Sequence, residues 1–266
     1  MKKAGFISFL LAVTVVACKQ HEQPSVKISG KPDTLVYTYK IIKERAADCG
    51  TKPDTSCSEA NITYAVFGGH QALNDSIANR LLQTYQGDKP DKTLEMQAKS
   101  FVKGYMTDTL RQADSNKMIY TLETSARVVR QDSSLVTIQI DSYAFTGGAH
   151  GDTFTGFLNW NTGEDKKVAL KDIFIPGYNE KFRVVAEKIF RTQEKLSDTS
   201  SLQNYFFKDA KFALNDNFLV TPVGIRFLYN EYEIKSYAEG QTELLIPYNK
   251  IKSLLRPQSV VNQYLK

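Results

Sequence analysis

The sequence predicts an α+β protein of two lobes, built from antiparallel sheets with helices packed on one face. Three observations lead there. Alternating apolar residues mark strands, apolar residues at helical spacing mark three helices, and the two kinds come in separate runs, which argues against a doubly wound parallel sheet. The chain has 266 residues, 42% of them apolar and 11% aromatic, enough for one large domain or two lobes sharing a core. The expected divisions are a signal at 1–17, a tether at 18–33, a first lobe at 34–150 and a second at 151–256.

Lys2 and Lys3 precede an apolar run from Ala4 to Ala17 that is too short to span a bilayer and stops at Val15-Val16-Ala17-Cys18. This pattern resembles a bacterial lipoprotein signal with its lipobox, so Cys18 is the expected lipidated first residue of the mature chain. Each methylene of an acyl anchor buried in the membrane contributes about 0.8 kcal/mol. Residues 19–33, which include His21, are polar and read as a flexible tether. The expected location is the cell envelope, lipid-anchored on a periplasmic or outer-surface face. Losing Lys2 and Lys3 with the signal lowers the formal charge from +5 to +3, too weak a bias for a nucleic-acid partner.

In order, Leu35, Tyr37, Tyr39 and Ile41 alternate along one strand and Ile62, Tyr64 and Val66 along the next. Between them lies an excursion holding Cys49 and Cys57, an even pair expected to form a disulfide in an oxidising compartment. Closing that loop of about nine residues contributes roughly 2.5 kcal/mol by chain entropy. The spacing is not C-x-x-C and no other ligand residues accompany it, which speaks against a metal or redox role. Gly68-Gly69 ends the second strand. Leu73, Ile77, Ala78, Leu81, Leu82 and Tyr85 then recur at helical spacing, as do Leu94, Ala98, Phe101, Val102, Tyr105 and Thr109 after a connector containing Pro90. One apolar stripe per helix predicts that both cover one face of a sheet.

Tyr120, Leu122, Ala126 and Val128, the turn Gln131 to Ser134, and Val136, Ile138 and Ile140 predict an antiparallel hairpin. A further strand carries Phe154, Gly156, Leu158 and Trp160. Beyond Pro176-Gly177, Phe182, Val185, Ala186, Ile189 and Phe190 mark a third helix. Phe218 with Val220, and Ile225 with Phe227 and Tyr229, predict two strands joined at Thr221-Pro222-Val223-Gly224. Leu244 and Ile246 mark a last strand before a short helix.

The stretch from Ser142 to Asp152, SYAFTGGAHGD, reads as the seam between the lobes. Gly147 and Gly148 supply a tight turn requiring positive φ, and His150 follows it. The run Tyr143 to His150, followed by Asn159-Trp160-Asn161-Thr162-Gly163 and Leu170-Lys171-Asp172-Ile173-Phe174, resembles the domain-of-unknown-function family typified by the extracellular part of the RsiV anti-sigma factor, a lysozyme receptor. Val223-Gly224-Ile225-Arg226-Phe227, Tyr232-Glu233-Ile234, Tyr237-Ala238-Glu239-Gly240 and Ile246-Pro247-Tyr248 are similar to its closing motif. The region before His150 resembles the companion domain at the N-terminal end of the PdaC peptidoglycan deacetylase. The resemblance implies two α+β lobes outside the cytoplasmic membrane, associated with cell-wall glycan or with proteins that attack it. A lipid-anchor signal stands where the anti-sigma factor has a transmembrane helix, and the deacetylase's separate catalytic domain has no counterpart, so neither signalling nor deacetylation is carried over.

No G-x-S-x-G, H-E-x-x-H, phosphate-binding or dinucleotide-binding signature is present. His150 beside Asp152 has the composition of an acid/base pair. Alternatively, His150 bonds a backbone carbonyl and fixes the loop, or touches a ligand. A metal site would require His70 and His150 to converge with a carboxylate, and neither metal nor cofactor is expected. Tyr229, Tyr232 and Tyr237, interleaved with Glu231, Glu233 and Glu239, are aromatics with polar handles that suit a carbohydrate or protein surface. The candidate ligand-binding residues are therefore Tyr143, Gly147, Gly148, His150, Tyr229, Tyr232 and Tyr237. The expected function is non-enzymatic binding of peptidoglycan or a lysozyme-like protein, and the alternative is a glycan hydrolase or deacylase using His150 and Asp152. Cys18→Ala is expected to move the protein from the membrane to the soluble fraction on cell fractionation; unchanged membrane retention would refute the lipobox.

Overall fold

The computed structural model describes residues 34–87, 90–109 and 118–265, so the expected signal, Cys18, the tether and His21 lie outside the described residues. Two sheets organise them. The first has six strands in the sequential order β1 (Tyr37–Arg45), β2 (Glu59–Phe67), β3 (Thr121–Asp132), β4 (Leu135–Phe145), β5 (Asp152–Asn161) and β6 (Lys166–Lys167). The second has three, β7 (Phe218–Val220), β8 (Gly224–Tyr229) and β9 (Thr242–Pro247). All pairs are antiparallel except β2 with β3, which run parallel. A parallel pair needs a crossover, and the crossover here is α1 (Gln71–Leu82) and α2 (Leu94–Thr109).

The apolar stripes of those helices meet the sheet as their spacing predicts. Leu73, Ile77 and Leu81 of α1 and Ala98 and Phe101 of α2 are buried against Ile62, Leu122, Ala126, Ile138 and Ile140. Burying each large apolar side chain contributes about 1.5–3 kcal/mol. Cys49 and Cys57 form the expected disulfide at the edge of this core, with Cα atoms 5.3 Å apart. Strand β1 departs from the reading of its alternation: Tyr39 and Ile41 are exposed, and the strand is an edge of the sheet.

After the single turn α3 (Leu170–Ile173), α4 (Asn179–Gln193) packs Phe182, Ala186 and Phe190 onto Phe227, Leu244 and Ile246 of the second sheet. Rings fill this core: Phe174 lies 4.4 Å from Phe182, and Phe190 lies 5.1–5.5 Å from Tyr205, Phe207 and Phe212. Gly224 allows β8 to approach β9, because a Cβ there would strike the carbonyl of Ile246. Past the short α5 (Tyr248–Ile251), the tail runs beyond the expected lobe end at 256. It buries Val260 and Val261, and Tyr264 donates a hydrogen bond to Asp132 on the first sheet's β3–β4 hairpin.

The expected boundary at 150/151 falls inside the first sheet. SYAFTGGAHGD is the β4–β5 connection, and β5 continues in register with β4 from Ala144↔Asp152 to Leu135↔Asn161. Sequence patterns report strands but not their partners, so a strand after the Gly pair reads equally well as the start of a new sheet.

The lobes are joined along β5 by three asparagines. Asn217 accepts from the Phe157 amide (3.0 Å) and donates to the carbonyls of Thr155 (2.8 Å) and Leu228 (3.1 Å). Asn230 accepts from the Thr155 amide (2.7 Å) and donates to the Thr155 carbonyl (3.1 Å). Asn159 donates to the Phe218 carbonyl (2.7 Å) and accepts from the Val220 amide (3.1 Å) and the Thr137 hydroxyl (3.2 Å). Phe157, Leu219 and Leu228 form a small apolar cluster beside them. Removing the Asn159 amide strands several buried groups, each costing about 1–3 kcal/mol. Asn159→Ala is accordingly expected to lower unfolding free energy by roughly 3 kcal/mol in urea titration, and a change below about 1 kcal/mol would contradict this account.

Candidate functional site

The helices cover one face of the first sheet; the opposite face carries a polar groove of about 520 Å³. Its floor follows from register. Asn61 on β2 sits beside Glu123 on β3, which pairs with Tyr143 on β4, which pairs with Thr153 on β5. One step along, Thr63, Ser125, Asp141 and Thr155 form a second row. Side chains two apart on a strand share a face, so four neighbouring strands with polar residues at these positions make a continuous polar floor. It spans four strands, roughly 14 Å at the usual strand spacing. Glu231 and Gln241 of the second lobe form the wall beyond β5.

Asp141 is the fixed point of the floor. It accepts hydrogen bonds from Arg127 (2.6 Å), Gln139 (3.0 and 3.1 Å) and Thr155 (3.0 Å). Gln241 reaches across from the second lobe to Thr155 Oγ1 and Asn230 Oδ1, both at 3.3 Å. The wall is thereby tied to the floor by the same asparagine that tethers the lobes.

Three of the aromatic candidates converge next to this groove. His150 stacks on Tyr237 with ring centroids 4.2 Å apart and 14° between planes, and Tyr232 lies 6.3 Å from His150 and 5.7 Å from Tyr237. All three are exposed. Tyr232 holds φ at +64°, a left-handed backbone that a bulky residue rarely adopts, so the surrounding structure determines its placement. Two acids frame the loop: Glu233 accepts from the Asn230 amide (2.9 Å), and Glu239 accepts from the Ser236 hydroxyl (2.8 Å) and amide (3.2 Å). The Ser236 hydroxyl and amide hold the Glu239 carboxyl below the usual carboxylate range.

Gly147 and Gly148 have φ of +98° and +99°, the positive values read from the sequence for this turn. The Tyr143 ring lies over Gly151, where any Cβ would collide with it, so the absence of a side chain at 151 sets the ring's place at the groove end. Tyr229 is a correction. It is buried in the second core at 1% exposure and its hydroxyl donates to the Ala213 carbonyl (2.8 Å), where burial pushes the phenol far above its ordinary range. Its β8 position points it at the packed face of the smaller sheet.

The acid/base pair does not form: His150 Nδ1 bonds the Gly151 carbonyl (3.1 Å), and among the described residues no hydrogen bond or ion pair joins it to Asp152. Asp152 is exposed at the first position of β5. His70 lies near Asp165 (3.8 Å), beyond the far end of β5, so about 30 Å of strand separates the regions of the two histidines and they do not converge. Among the described residues no group of three His, Cys, Asp or Glu side chains could hold a metal. Sequence reasoning missed Asn61, Thr63, Glu123, Ser125, Asp141, Thr153 and Thr155. Their signal was the polar half of each strand's alternation, which taken one strand at a time reads as a solvated face.

Two family profiles match the chain. Residues 51–153 match the family described as deacetylase PdaC, and residues 171–249 match a protein family of unknown function, DUF3298. The chain therefore carries a PdaC-type domain followed by a DUF3298 domain. The segment between the two matches contains most of β5, the strand on which the asparagines converge. A DUF3298 family protein from Pseudomonas aeruginosa PAO1 superposes with a TM-score of 0.68 at 24% identity, covering 85% of this chain and 96% of that one. A second member of the family, from Bacteroides fragilis NCTC 9343, gives 0.68 at 24% identity, covering 88% and 99%. These two likenesses establish a shared fold. No curated protein sequence matches the chain.

The His150–Tyr237 stack is exposed, so it orients the loop more than it stabilises the fold. Tyr237→Ala is expected to shift the His150 ring protons downfield in NMR spectra as the ring current is lost, while unfolding free energy changes by less than about 1 kcal/mol. Unmoved His150 resonances would show that the stack does not persist in solution.

Proposed function

We propose that the protein is a lipid-anchored component of the bacterial cell envelope that binds a cell-wall glycan in the groove between its lobes, without turning it over. The observation that carries this reading is the groove itself: two rows of hydroxyl, amide and carboxylate groups on a rigid sheet, ending at Tyr143 and next to the Tyr232–Tyr237–His150 cluster. Sugar rings present hydroxyls at their edges and apolar C–H faces above and below. A floor of polar groups with aromatic rings at its end fits both. The separation of His150 from Asp152 supports binding over catalysis. The weakly basic charge of the chain offers no long-range attraction to a basic protein such as lysozyme, which favours the glycan over that partner.

The chain from Lys19 to Lys266, mixed in parallel with insoluble peptidoglycan and lysozyme-coupled resin, is expected to sediment with the first and pass through the second. Retention by lysozyme alone would overturn the reading. Ser125→Phe fills the floor from a position outside the buried core, and is expected to weaken peptidoglycan binding at least roughly tenfold with an unchanged circular dichroism spectrum. Peptidoglycan fragments should emerge chemically unaltered; release of sugar or acetate by the wild type, abolished in a folded His150→Ala variant, would replace binding with turnover.

A further inference from the structure

The β1 edge of the first sheet lacks the protection that strand edges usually carry. Antiparallel ladders bond alternate residues, and here the Ala46 amide donates to the Ser58 carbonyl (2.9 Å) and the Gly68 amide to the Val36 carbonyl (3.4 Å), so the even-numbered residues of β1 bond β2. The amides and carbonyls of Tyr39, Ile41 and Lys43 therefore point away from the sheet, and none of them has a hydrogen-bond partner among the described residues. Proteins blunt such edges with short strands, prolines, bulges or lysines whose charge repels a newcomer. At the other end of this sheet β6 is two residues long, whereas β1 runs for nine in unbroken register and without proline. Its cations are neutralised: Lys40 pairs with Glu95, and Lys43 and Arg45 pair with Asp54 and Glu59. Among them Tyr39 and Ile41 stand 47% and 57% exposed.

The strand is complementary to itself. Tyr37, Tyr39, Ile41, Lys43 and Arg45 share one face, with the aromatic rings before Ile41 and the cations after it. Antiparallel pairing about Ile41 sets Ile41 against Ile41 of a second copy, Tyr39 against its Lys43 and Tyr37 against its Arg45. On the opposite face it sets Thr38 against Glu44 and Lys40 against Ile42. Cations then meet rings or an apolar stem, and no two like charges are opposed, whereas in-register parallel pairing would set Lys40, Lys43, Glu44 and Arg45 each against itself. We infer that a second copy of the chain occupies this edge, the two β1 strands pairing antiparallel across a two-fold axis at Ile41. The outward amides and carbonyls find partners in each other, and the contact closes on itself as an isologous dimer. The two sheets become one, with both groove floors facing the same side.

Sedimentation equilibrium of the chain from Lys19 to Lys266, without added glycan, is expected to show a monomer–dimer equilibrium. Ile41→Lys opposes two lysines at the axis, and Ile41→Pro removes an N–H that does not bond β2; each should weaken association at least tenfold with an unchanged circular dichroism spectrum. Ile41→Cys should give a disulfide-linked dimer on mild oxidation, because opposed Cα atoms in such a pair lie about 5.5 Å apart and Cys49 and Cys57 are already bridged. Val184→Cys, at an exposed position on α4, should stay uncrosslinked. A wild-type chain still monomeric at about 0.1 mM, a dimer indifferent to both Ile41→Lys and Ile41→Pro, or Ile41→Cys that fails to crosslink would each overturn the inference. So would a monomer whose Ile41 amide is protected from deuterium exchange until residues 19–33 are removed, which would assign the edge to the chain's own N-terminal segment.

Discussion

The outer edge of β5 is the constraint on which the rest of the structure depends. A strand edge presents amides and carbonyls that must find partners; β6 supplies them at Trp160 and Asn161, and at Thr155 and Phe157 side chains of the second lobe do. Asn217 and Asn230 offer the Thr155 and Phe157 backbone the donor and acceptor that a neighbouring strand would have offered. A side-chain amide matches a peptide group in having one carbonyl and N–H donors, which makes asparagine suited to satisfy the stretch of edge that β6 does not cover. The second lobe is consequently fixed in angle as well as position, and its Glu231 and Gln241 become a wall at a set distance from the floor.

Much of the fold was legible in the sequence. The helix stripes at Leu73–Leu81 and Leu94–Phe101, the strands at Val136–Ile140 and Ile225–Tyr229, and the Cys49–Cys57 bridge all follow from local periodicity or cysteine count. Periodicity identifies a strand without naming its neighbours, and this is why the parallel β2–β3 pair and the membership of β5 in the first sheet emerged only in three dimensions. Asparagines 159, 217 and 230 lie far apart along the chain and carry no pattern of their own, so nothing local announced that they meet on one strand.

The candidate site divides in the same way. The sequence reads Tyr229, Tyr232 and Tyr237 as one segment and His150 as another feature; in the fold His150 joins Tyr232 and Tyr237 in one cluster, whereas Tyr229 turns into the core because it belongs to β8. The groove floor escaped notice because Thr63, Ser125 and Asp141 are ordinary residues for the wet side of a sheet. Their concentration becomes visible only when register stacks them into rows.

The asparagine contacts also set a clock within the molecule. The Thr155 and Phe157 amides are shielded from solvent by side chains of the other lobe rather than by a partner strand, so their exchange with solvent deuterium reports separation of the lobes. Amides in the β3–β4 ladder report unfolding of the sheet itself. Exchange at Thr155 and Phe157 in excess of that ladder reports the population in which the lobes separate and the groove opens.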